Sequence, residues 1–246
     1  MSSEETAPAA HAAPAPHGVT YRARHHRGTG PGHITPDGCS VSLYARLPAG
    51  DEPEIVAAAA PSGATLLELG SGAGRLTRPL RERGFRVTAV DESAEMLAQI
   101  DGAPTVRSTI EDLRLDERFD VVLLASFLIN TADDALRDAL LRTCAHHLAP
   151  GGAVLVQREG EWHRTRTTGE EWEHDGMTVR IALREPAEGG AKRTRMEYAF
   201  EDAAWSQTFV SHDLDETDFA QALHRAGLTL DAYLTDDRTW ARALPR

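Results

Sequence analysis

The sequence predicts an α/β fold with a mostly parallel seven-stranded sheet, helices on both faces, and an antiparallel strand addition after the fifth strand. Three observations predict it. Short apolar runs alternate with amphipathic segments over 65–156, a glycine-rich turn follows the first apolar run, and several extended stretches follow one another after Gln157 without helices between them. Strands that alternate with helices at short spacing form right-handed βαβ units, and such units build a parallel sheet.

Composition limits the possible classes of protein. A chain of 246 residues with 41% hydrophobic and 26% charged residues suits one globular domain with an insertion. The net charge of −12 disfavours nucleic acid as a partner, because phosphate backbones need clustered basic residues. Cys39 and Cys144 form no CxxC pair and no apolar span suggests a signal or a membrane helix, so we expect a cytoplasmic protein without membrane contact. We expect a monomer or homodimer and no metal site.

The amino-terminal part divides into two segments. Residues 1–20 are rich in Ala and Pro and predict a disordered tail. Residues 21–60 predict a lid or cap, with two short helices in 41–48 and 52–60 broken by Pro48 and Gly50. The first half of this segment is either a lid over the site or a linker, and its candidate donors and bases are Tyr21, His25, His26 and His33.

Residues 61–160 form the predicted core. Apolar runs predict its five strands, and apolar residues at helical spacing predict helices between them. The run at 119–124 is apolar enough to be a central strand buried on both faces. The predicted strands are 65–69, 85–90, 105–109, 119–124 and 153–156, and the helices are 74–84, 93–100 and 136–148.

The remaining chain predicts an insertion and the end of the sheet. Residues 161–212 predict an antiparallel addition on the substrate side, with extended stretches at 177–183, 193–200 and 205–214. Residues 213–246 predict a helix at 216–224 and two strands, at 228–234 and 238–243, which complete the sheet.

The first strand runs into the sequence Glu68-Leu-Gly-Ser-Gly-Ala-Gly74, followed by a helix. Glycines let the backbone turn tightly and a ligand approach closely, and the helix amino terminus favours an anionic group. Asp91 closes the second strand, where a carboxylate can accept from both hydroxyls of a ribose. A nicotinamide-binding fold has the spacing G-x-G-x-x-G, whereas here the third glycine comes one residue early and Arg75 would crowd a pyrophosphate. The pattern therefore predicts a nucleoside site.

Five motifs occur in a fixed order: ELGSGAG (68–74), VTAVDES (87–93), IEDL (110–113), FDVVLLASFLIN (119–130) and LAPGG (148–152). In these motifs the sequence resembles the Rossmann-like class I S-adenosylmethionine-dependent methyltransferases, in particular bacterial enzymes for small molecules and secondary metabolites. The resemblance covers 41–156 strongly, and the rest only in general organisation. It implies S-adenosylmethionine as cofactor and a small-molecule methyl acceptor as partner.

The resemblance also implies roles for individual residues. The three glycines of the turn would pack on the methionine part, Asp91 would hold the ribose, and Glu111 or Asp112 would accept from the adenine amino group. Met96 would flank the adenine, residues 125–127 would line the sulfonium, and Tyr44 would lie over the cofactor or pack in the core. The implied cofactor-binding residues are Tyr44, Glu68, Gly70, Ser71, Gly72, Gly74, Asp91, Met96, Ile110, Glu111, Asp112, Ala125, Ser126 and Phe127.

Methyl transfer from a sulfonium requires an acceptor atom held in line with the methyl group. An amine or an indole carbon can attack unaided, whereas a hydroxyl needs a base. Ligands of open α/β sheets bind at the carboxyl ends of the strands, so polar groups after the fourth and fifth strands are candidates or simply solvated strand ends. The candidate catalytic residues are His25, His26, Glu159 and His163, and the candidate substrate residues are Tyr21, His33, Asn130, Arg158 and Trp162.

Three hypotheses remain open for function. The favoured one is N- or C-methylation of an aromatic or indole-alkaloid-like secondary metabolite, with small-molecule O-methylation as its alternative. A non-catalytic S-adenosylmethionine-binding regulatory module is the second, and a nicotinamide oxidoreductase is the third. Trp172, Tyr198 and Trp205 of the insertion form either its core or a wall of the acceptor pocket.

Overall fold

The structure is a computed structural model that describes residues 17–246. Residues 1–16 of the predicted tail lie outside the described residues, and residues 17–20 belong to the first helix. The helices are α1 (His17–His25), α2 (Val41–Tyr44), α3 (Glu52–Ala59), α4 (Thr77–Glu82), α5 (Ala94–Leu97), α6 (Asp134–His146), α7 (Glu161–Thr165) and α8 (Glu216–Arg225), with short 3-10 turns at Leu128–Asn130 and Glu188–Gly190. The strands are β1 (Arg27–Thr29), β2 (Thr65–Leu69), β3 (Arg86–Asp91), β4 (Thr105–Arg107), β5 (Phe119–Leu124), β6 (Leu148–Gln157), β7 (Glu171–His174), β8 (Met177–Pro186), β9 (Lys192–Ala199), β10 (Ala204–Ser211), β11 (Leu228–Tyr233) and β12 (Trp240–Pro245).

The core sheet has seven strands in the order β11-β12-β6-β5-β2-β3-β4. The pairs within β6-β5-β2-β3-β4 are parallel, and β12 runs antiparallel to both of its neighbours. Leu69 is in register with Val90 and with Leu124, so three central strands end side by side. The predicted fold class is confirmed, and its carboxyl edge collects the segments that follow these strands.

Helices cover both faces of this sheet because successive side chains of a strand point to opposite sides. Leu67 faces the side on which Leu140 of α6 and Phe219 of α8 are buried. Leu66 faces the other side, where it packs in one cluster with Leu80 of α4 and with α3. All five of these leucine and phenylalanine side chains are at most 2% exposed. The central strands are therefore apolar on both faces, as parallel strands between helices must be.

The strand addition forms a second, antiparallel sheet in the order β1-β10-β9-β8-β7. The predicted extended stretches correspond to β8, β9 and β10, whereas β7 and α7 were not predicted. β1 joins this sheet from the amino-terminal segment, where Gly28 pairs with Gln207. The short polar run of β1 carries no strand pattern, and its pairing depends on β10. Trp205 and Tyr198 pack with Leu43 in a separate apolar cluster, and Trp172 borders it, so these aromatics form the core of the addition.

Candidate functional site

The glycine turn after β2 has the conformation that its sequence predicts. Gly70, Gly72 and Gly74 have φ values of 70°, 55° and 83°, which favour glycine. A Cβ at Gly74 would lie 2.8 Å from Cγ1 of Ile100, and a Cβ at Gly72 would touch the Tyr44 ring at 3.6 Å. Tyr44 therefore covers the turn, in the position that the resemblance implies.

Asp91 is bound to this turn at the end of β3. Its Oδ2 accepts from the backbone N–H of Gly72 at 2.9 Å, and its Oδ1 accepts from the N–H of Ser93 at 2.9 Å. Burial raises the pKa of Asp91, while these two N–H groups lower it. The carboxylate is thus fixed beside the turn, with lone pairs left for a ligand.

Glu68 is a buried acid under the same turn. It is 3% exposed, and its Oε2 accepts from the Thr77 hydroxyl at 2.6 Å, which ties β2 to the start of α4. Burial raises the pKa of Glu68 to about 7. These contacts place Glu68 beneath the glycine turn, where it joins β2 to α4.

The raised pKa of Glu68 predicts a pH-dependent stability. An acid whose folded pKa lies above its unfolded value of 4.5 stabilises the fold at low pH, and this contribution is lost as the pH rises towards 7. In urea denaturation, the free energy of unfolding of the wild type should fall relative to Glu68→Gln by roughly 2–3 kcal/mol between pH 5 and pH 8. Replacing the exposed Glu82 by Gln should leave this pH dependence intact. If the difference in free energy of unfolding between the wild type and Glu68→Gln does not change with pH, the raised pKa of Glu68 is refuted.

The predicted adenine side contains one acid with free oxygens. Both carboxylate oxygens of Glu111 are buried and accept no hydrogen bond. Asp112 is exposed and accepts from the Thr109 hydroxyl at 3.0 Å. Met96 is buried beside the turn, and Ile110 is 7% exposed. Of the two acids named by the sequence, Glu111 is therefore the one available to a buried ligand, while Ser71 also keeps a buried hydroxyl without a partner.

Helix α1 lies over this acid. A Cβ at Gly18 would be 1.9 Å from Oε1 of Glu111, so the backbone of α1 lies directly against this carboxylate. Nη2 of Arg22 donates to Oε2 of Glu92 at 2.7 Å and lies 3.9 Å from Oε1 of Glu111. Helix α1 of the amino-terminal segment therefore lies against Glu111 and is bound to Glu92.

The four donors predicted in this segment have different environments. Tyr21 borders the main core and lies 4.6 Å from the His25 ring, measured between centroids. His25 and His33 are exposed. His26 is partly buried, its Nε2 has no hydrogen-bond partner, and burial lowers its pKa to about 4. Of the three histidines, His26 is the one held inside the structure.

The turn after β5 has an unusual backbone. Ser126 and Phe127 have φ values of 54° and 59°, a conformation that non-glycine residues adopt rarely and often at functional sites. The Ser126 N–H donates to Oε1 of Gln157 at 2.7 Å, and Nε2 of Gln157 donates to Oε1 of Glu52 at 3.0 Å. Glu52 also binds Arg75 next to the glycine turn. Sequence reasoning missed Glu52 and Gln157, although the unusual arginine after the third glycine was a signal.

Aromatic side chains gather beside this turn. The Phe127 ring lies 4.4 Å from that of His163, and Trp162 lies 4.9 Å from His163 and 5.2 Å from Trp172, between centroids. The guanidinium of Arg166 lies 4.2 Å over Trp162, which is 39% exposed. Burial lowers the pKa of His163 to about 4, so this imidazole is neutral. The sequence-predicted His163 and Trp162 are thus brought together with Phe127.

Two predicted substrate residues, Asn130 and Arg158, bind groups of the protein itself. The Asn130 side chain is 1% exposed, accepts from the Glu159 N–H at 2.8 Å, and donates to the His212 carbonyl at 3.0 Å. Arg158 is also 1% exposed, donates to Tyr233 at 3.2 Å and to a backbone carbonyl, and packs over an aromatic ring on the α8 side. The Asn130 amide and the two terminal nitrogens of Arg158 thus bind groups of the protein itself and hold strand ends in place.

Replacing Asn130 by alanine should destabilise the protein. The change leaves the buried N–H of Glu159 and the carbonyl of His212 without partners, at a cost of about 2–4 kcal/mol in the free energy of unfolding. Urea denaturation measures this cost, and alanine at the exposed Gln99 provides the comparison. Unchanged stability of the Asn130 variant would show that these bonds do not hold the two strand ends.

Glu159 follows β6 and differs from these two residues. It is 4% exposed, and its Oε2 has no hydrogen-bond partner. Burial raises the pKa of Glu159 most, and Asp213 raises it further, while the Ser211 hydroxyl, Arg184 and Lys192 lower it. A buried acid of this kind at the carboxyl edge of the sheet can accept a proton from a bound ligand.

The described residues contain neither a metal-binding cluster nor a membrane-spanning helix. Within 17–246, no group of three or more His, Cys, Asp and Glu side chains is arranged to hold a metal ion. Over the same range, no helix has the length and hydropathy to cross a membrane.

Comparisons with known proteins agree with this geometry. A methyltransferase domain model matches residues 44–233. The chain is 37% identical over 103 residues to a cypemycin N-terminal methyltransferase from Streptomyces sp., covering 38% of this chain and 41% of that protein. It is 39% identical over 114 residues to a ubiquinone biosynthesis O-methyltransferase from Caulobacter vibrioides, covering 41% and 43%. The chain thus spans about two fifths of the length of these curated relatives.

Solved structures share the fold over more of the chain. The sugar N-methyltransferase KedS8 from Streptoalloteichus sp. has a TM-score of 0.62 at 22% identity, covering 100% of this chain and 99% of that one. CalS10 from Micromonospora echinaspora, described as an amino pentose methyltransferase involved in calicheamicin biosynthesis, has a TM-score of 0.61 at 21% identity, covering 93% and 96%. At these identities the likeness concerns the fold.

Proposed function

Since the chain belongs to the methyltransferase domain family, we propose that it is an S-adenosylmethionine-dependent methyltransferase that acts on a small molecule. One observation carries the cofactor part. The acid at the end of β3 is bound to the glycine turn, and a second buried acid, Glu111, has two oxygens that accept no hydrogen bond, one of them 3.9 Å from Arg22. Ribose hydroxyls and an adenine amino group supply the donors that such acids accept.

The residues of this edge fit the cofactor. Asp91 would hold the ribose, Glu111 the adenine, and the turn at Gly72 the methionine part, with Tyr44 over it. When bound, S-adenosylmethionine supplies a methyl group on a positively charged sulfur. Arg75 is bound to Glu52, and an arginine directly after the third glycine would crowd a pyrophosphate, which disfavours an oxidoreductase. The complete set of cofactor residues disfavours a non-catalytic module.

For the acceptor, we propose nitrogen as the methylated atom. The sequence favours N- or C-methylation of an aromatic, indole-alkaloid-like metabolite, with O-methylation as the alternative. The aromatic group of Phe127, Trp162 and His163 suits a ring-shaped acceptor. An indole carbon needs no buried acid, whereas Glu159 can remove the proton from an ammonium group and so free its lone pair. A cytoplasmic monomer or homodimer without nucleic-acid or membrane partners stays a prediction.

Calorimetry with two ligands tests the cofactor part. We expect the purified protein to bind S-adenosylhomocysteine with a 1:1 stoichiometry and to give no measurable heat with NADH. The two ligands differ in the group next to the adenosine, a thioether amino acid in one case and a pyrophosphate in the other. Tight NADH binding without binding of S-adenosylhomocysteine would overturn the proposal.

A further inference from the structure

Four buried polar atoms without hydrogen-bond partners lie where β6 and β10 end. They are Oε2 of Glu159, Oγ of Ser211, Nδ1 of His212 and Oδ1 of Asp213, and we call them the β10 polar cluster. Glu159 and Ser211 are 4% and 5% exposed. Buried polar atoms in proteins are almost always paired, so these atoms are available to a ligand that forms hydrogen bonds with them.

Asn130 brings the two strand ends together. Its side chain binds the backbone N–H of Glu159 at 2.8 Å and the carbonyl of His212 at 3.0 Å, and the His212 N–H donates to its carbonyl at 2.7 Å. Ser211 also forms a β-bridge with Thr131. The cluster is therefore held by backbone contacts, independently of its own side chains.

The cations around the cluster are already paired. Nζ of Lys192, the one lysine of the sequence, lies 2.6 Å from Oδ2 of Asp213. Arg184 donates to two backbone carbonyls and to the Thr194 hydroxyl. The unpaired atoms are thus two carboxylate oxygens, which only accept, together with a hydroxyl and an imidazole nitrogen that can accept. A ligand that donates several hydrogen bonds would satisfy them, whereas an anion would offer no donor to the two carboxylate oxygens.

We propose that the β10 polar cluster binds the amino group of the methyl acceptor, together with a hydroxyl group next to it. The number of groups agrees with this ligand, because an ammonium donates three hydrogen bonds and the cluster has four unpaired atoms. Glu159 takes the proton of the ammonium, so that an N–H bond breaks and an O–H bond forms while the nitrogen keeps its lone pair. The acceptor class is therefore a small hydroxylated amine. This inference rests on the proposed function.

Calorimetry with a matched pair of probes tests the inference. The full chain is saturated with S-adenosylhomocysteine and titrated with trans-2-aminocyclohexanol or with trans-1,2-cyclohexanediol, which differ only in an amino group. We expect the amino alcohol to bind at least tenfold more tightly than the diol. Equal affinities, or no binding of the amino alcohol to protein that binds S-adenosylhomocysteine, would overturn the inference and leave the proposed function intact. Failure to bind S-adenosylhomocysteine would instead count against the proposed function.

Variants test whether the preference for the amino alcohol over the diol depends on the β10 polar cluster. Glu159→Gln and Asp213→Asn should each reduce the preference for the amino alcohol to threefold or less, while the affinity for S-adenosylhomocysteine stays within twofold of the wild type. Glu185→Gln, at an exposed ion pair with Arg193, should keep the full preference. If either acid variant unfolds at a lower temperature, Ser211→Ala is the milder substitution. It should weaken the binding of the amino alcohol and leave the affinity for S-adenosylhomocysteine unchanged. A preference that survives in the folded variants would overturn the inference.

Discussion

Replacing Asp91 by alanine should weaken the binding of S-adenosylhomocysteine on the order of a hundredfold. The side chain is the charged acceptor expected to hold the ribose, and hydrogen bonds to charged groups contribute about 1.5–3 kcal/mol each. The change also removes the two bonds that tie the acid to Gly72 and Ser93, so the glycine turn loses its anchor. Two lost ligand bonds correspond to about a hundredfold or more in the dissociation constant.

Calorimetry of the Asp91 variant needs a fold control. Asp116→Ala removes an exposed carboxylate from the segment before β5 and should leave the affinity unchanged. Asp91→Asn keeps the size of the side chain and should lie between the alanine variant and the wild type. Wild-type affinity in Asp91→Ala would mean that another group holds the ribose.

Replacing Glu159 by glutamine should lower kcat by about a hundredfold with an amine acceptor. Positioned proton acceptors contribute about 10²–10⁴ in rate, and a glutamine amide cannot take up the proton. Initial rates of labelled methyl transfer to trans-2-aminocyclohexanol, or to another primary amine that the wild type methylates, give the comparison. Glu185→Gln should keep the wild-type rate.

The pH profile separates a proton acceptor from a residue that only supports the fold. Burial raises the pKa of Glu159, so kcat should fall as the pH decreases through a value above the ordinary range of a glutamate. Asp213, Arg184 and Lys192 face the same carboxylate and change its pKa further. The acid limb should be missing in Glu159→Gln. A variant that keeps this limb together with a wild-type rate would exclude Glu159 as the base.

The strands that the sequence predicted best are those with the simplest environments. Residues 65–69 and 119–124 are apolar runs buried between helices, and the structure has β2 and β5 with the same bounds. The glycine turn could be predicted because its backbone angles require glycine at fixed spacing. β1 could not, because the short run from Arg27 to Thr29 becomes a strand only by pairing with β10, far away in the chain.

The acceptor side was predicted less well for a related reason. Asn130, Arg158 and Glu159 are all polar residues near strand ends, and their sequence positions do not reveal which polar atoms the protein itself uses. The side chains of Asn130 and Arg158 form hydrogen bonds with backbone groups and with Tyr233, whereas Oε2 of Glu159 has no hydrogen-bond partner. Ser211 was missed because it reaches Glu159 only through the folding of the antiparallel sheet.

The amino-terminal segment has a kinetic consequence. Helix α1 covers Glu111, and strand β1 pairs with β10, whose end carries Ser211. Only His26 separates the helix from the strand, so the two cannot move far apart. We therefore expect that any movement of α1 away from Glu111 also disturbs the pairing of β1 with β10. Exchange of spent cofactor and escape of methylated product should then be one slow event, with a rapid first turnover before a slower steady state.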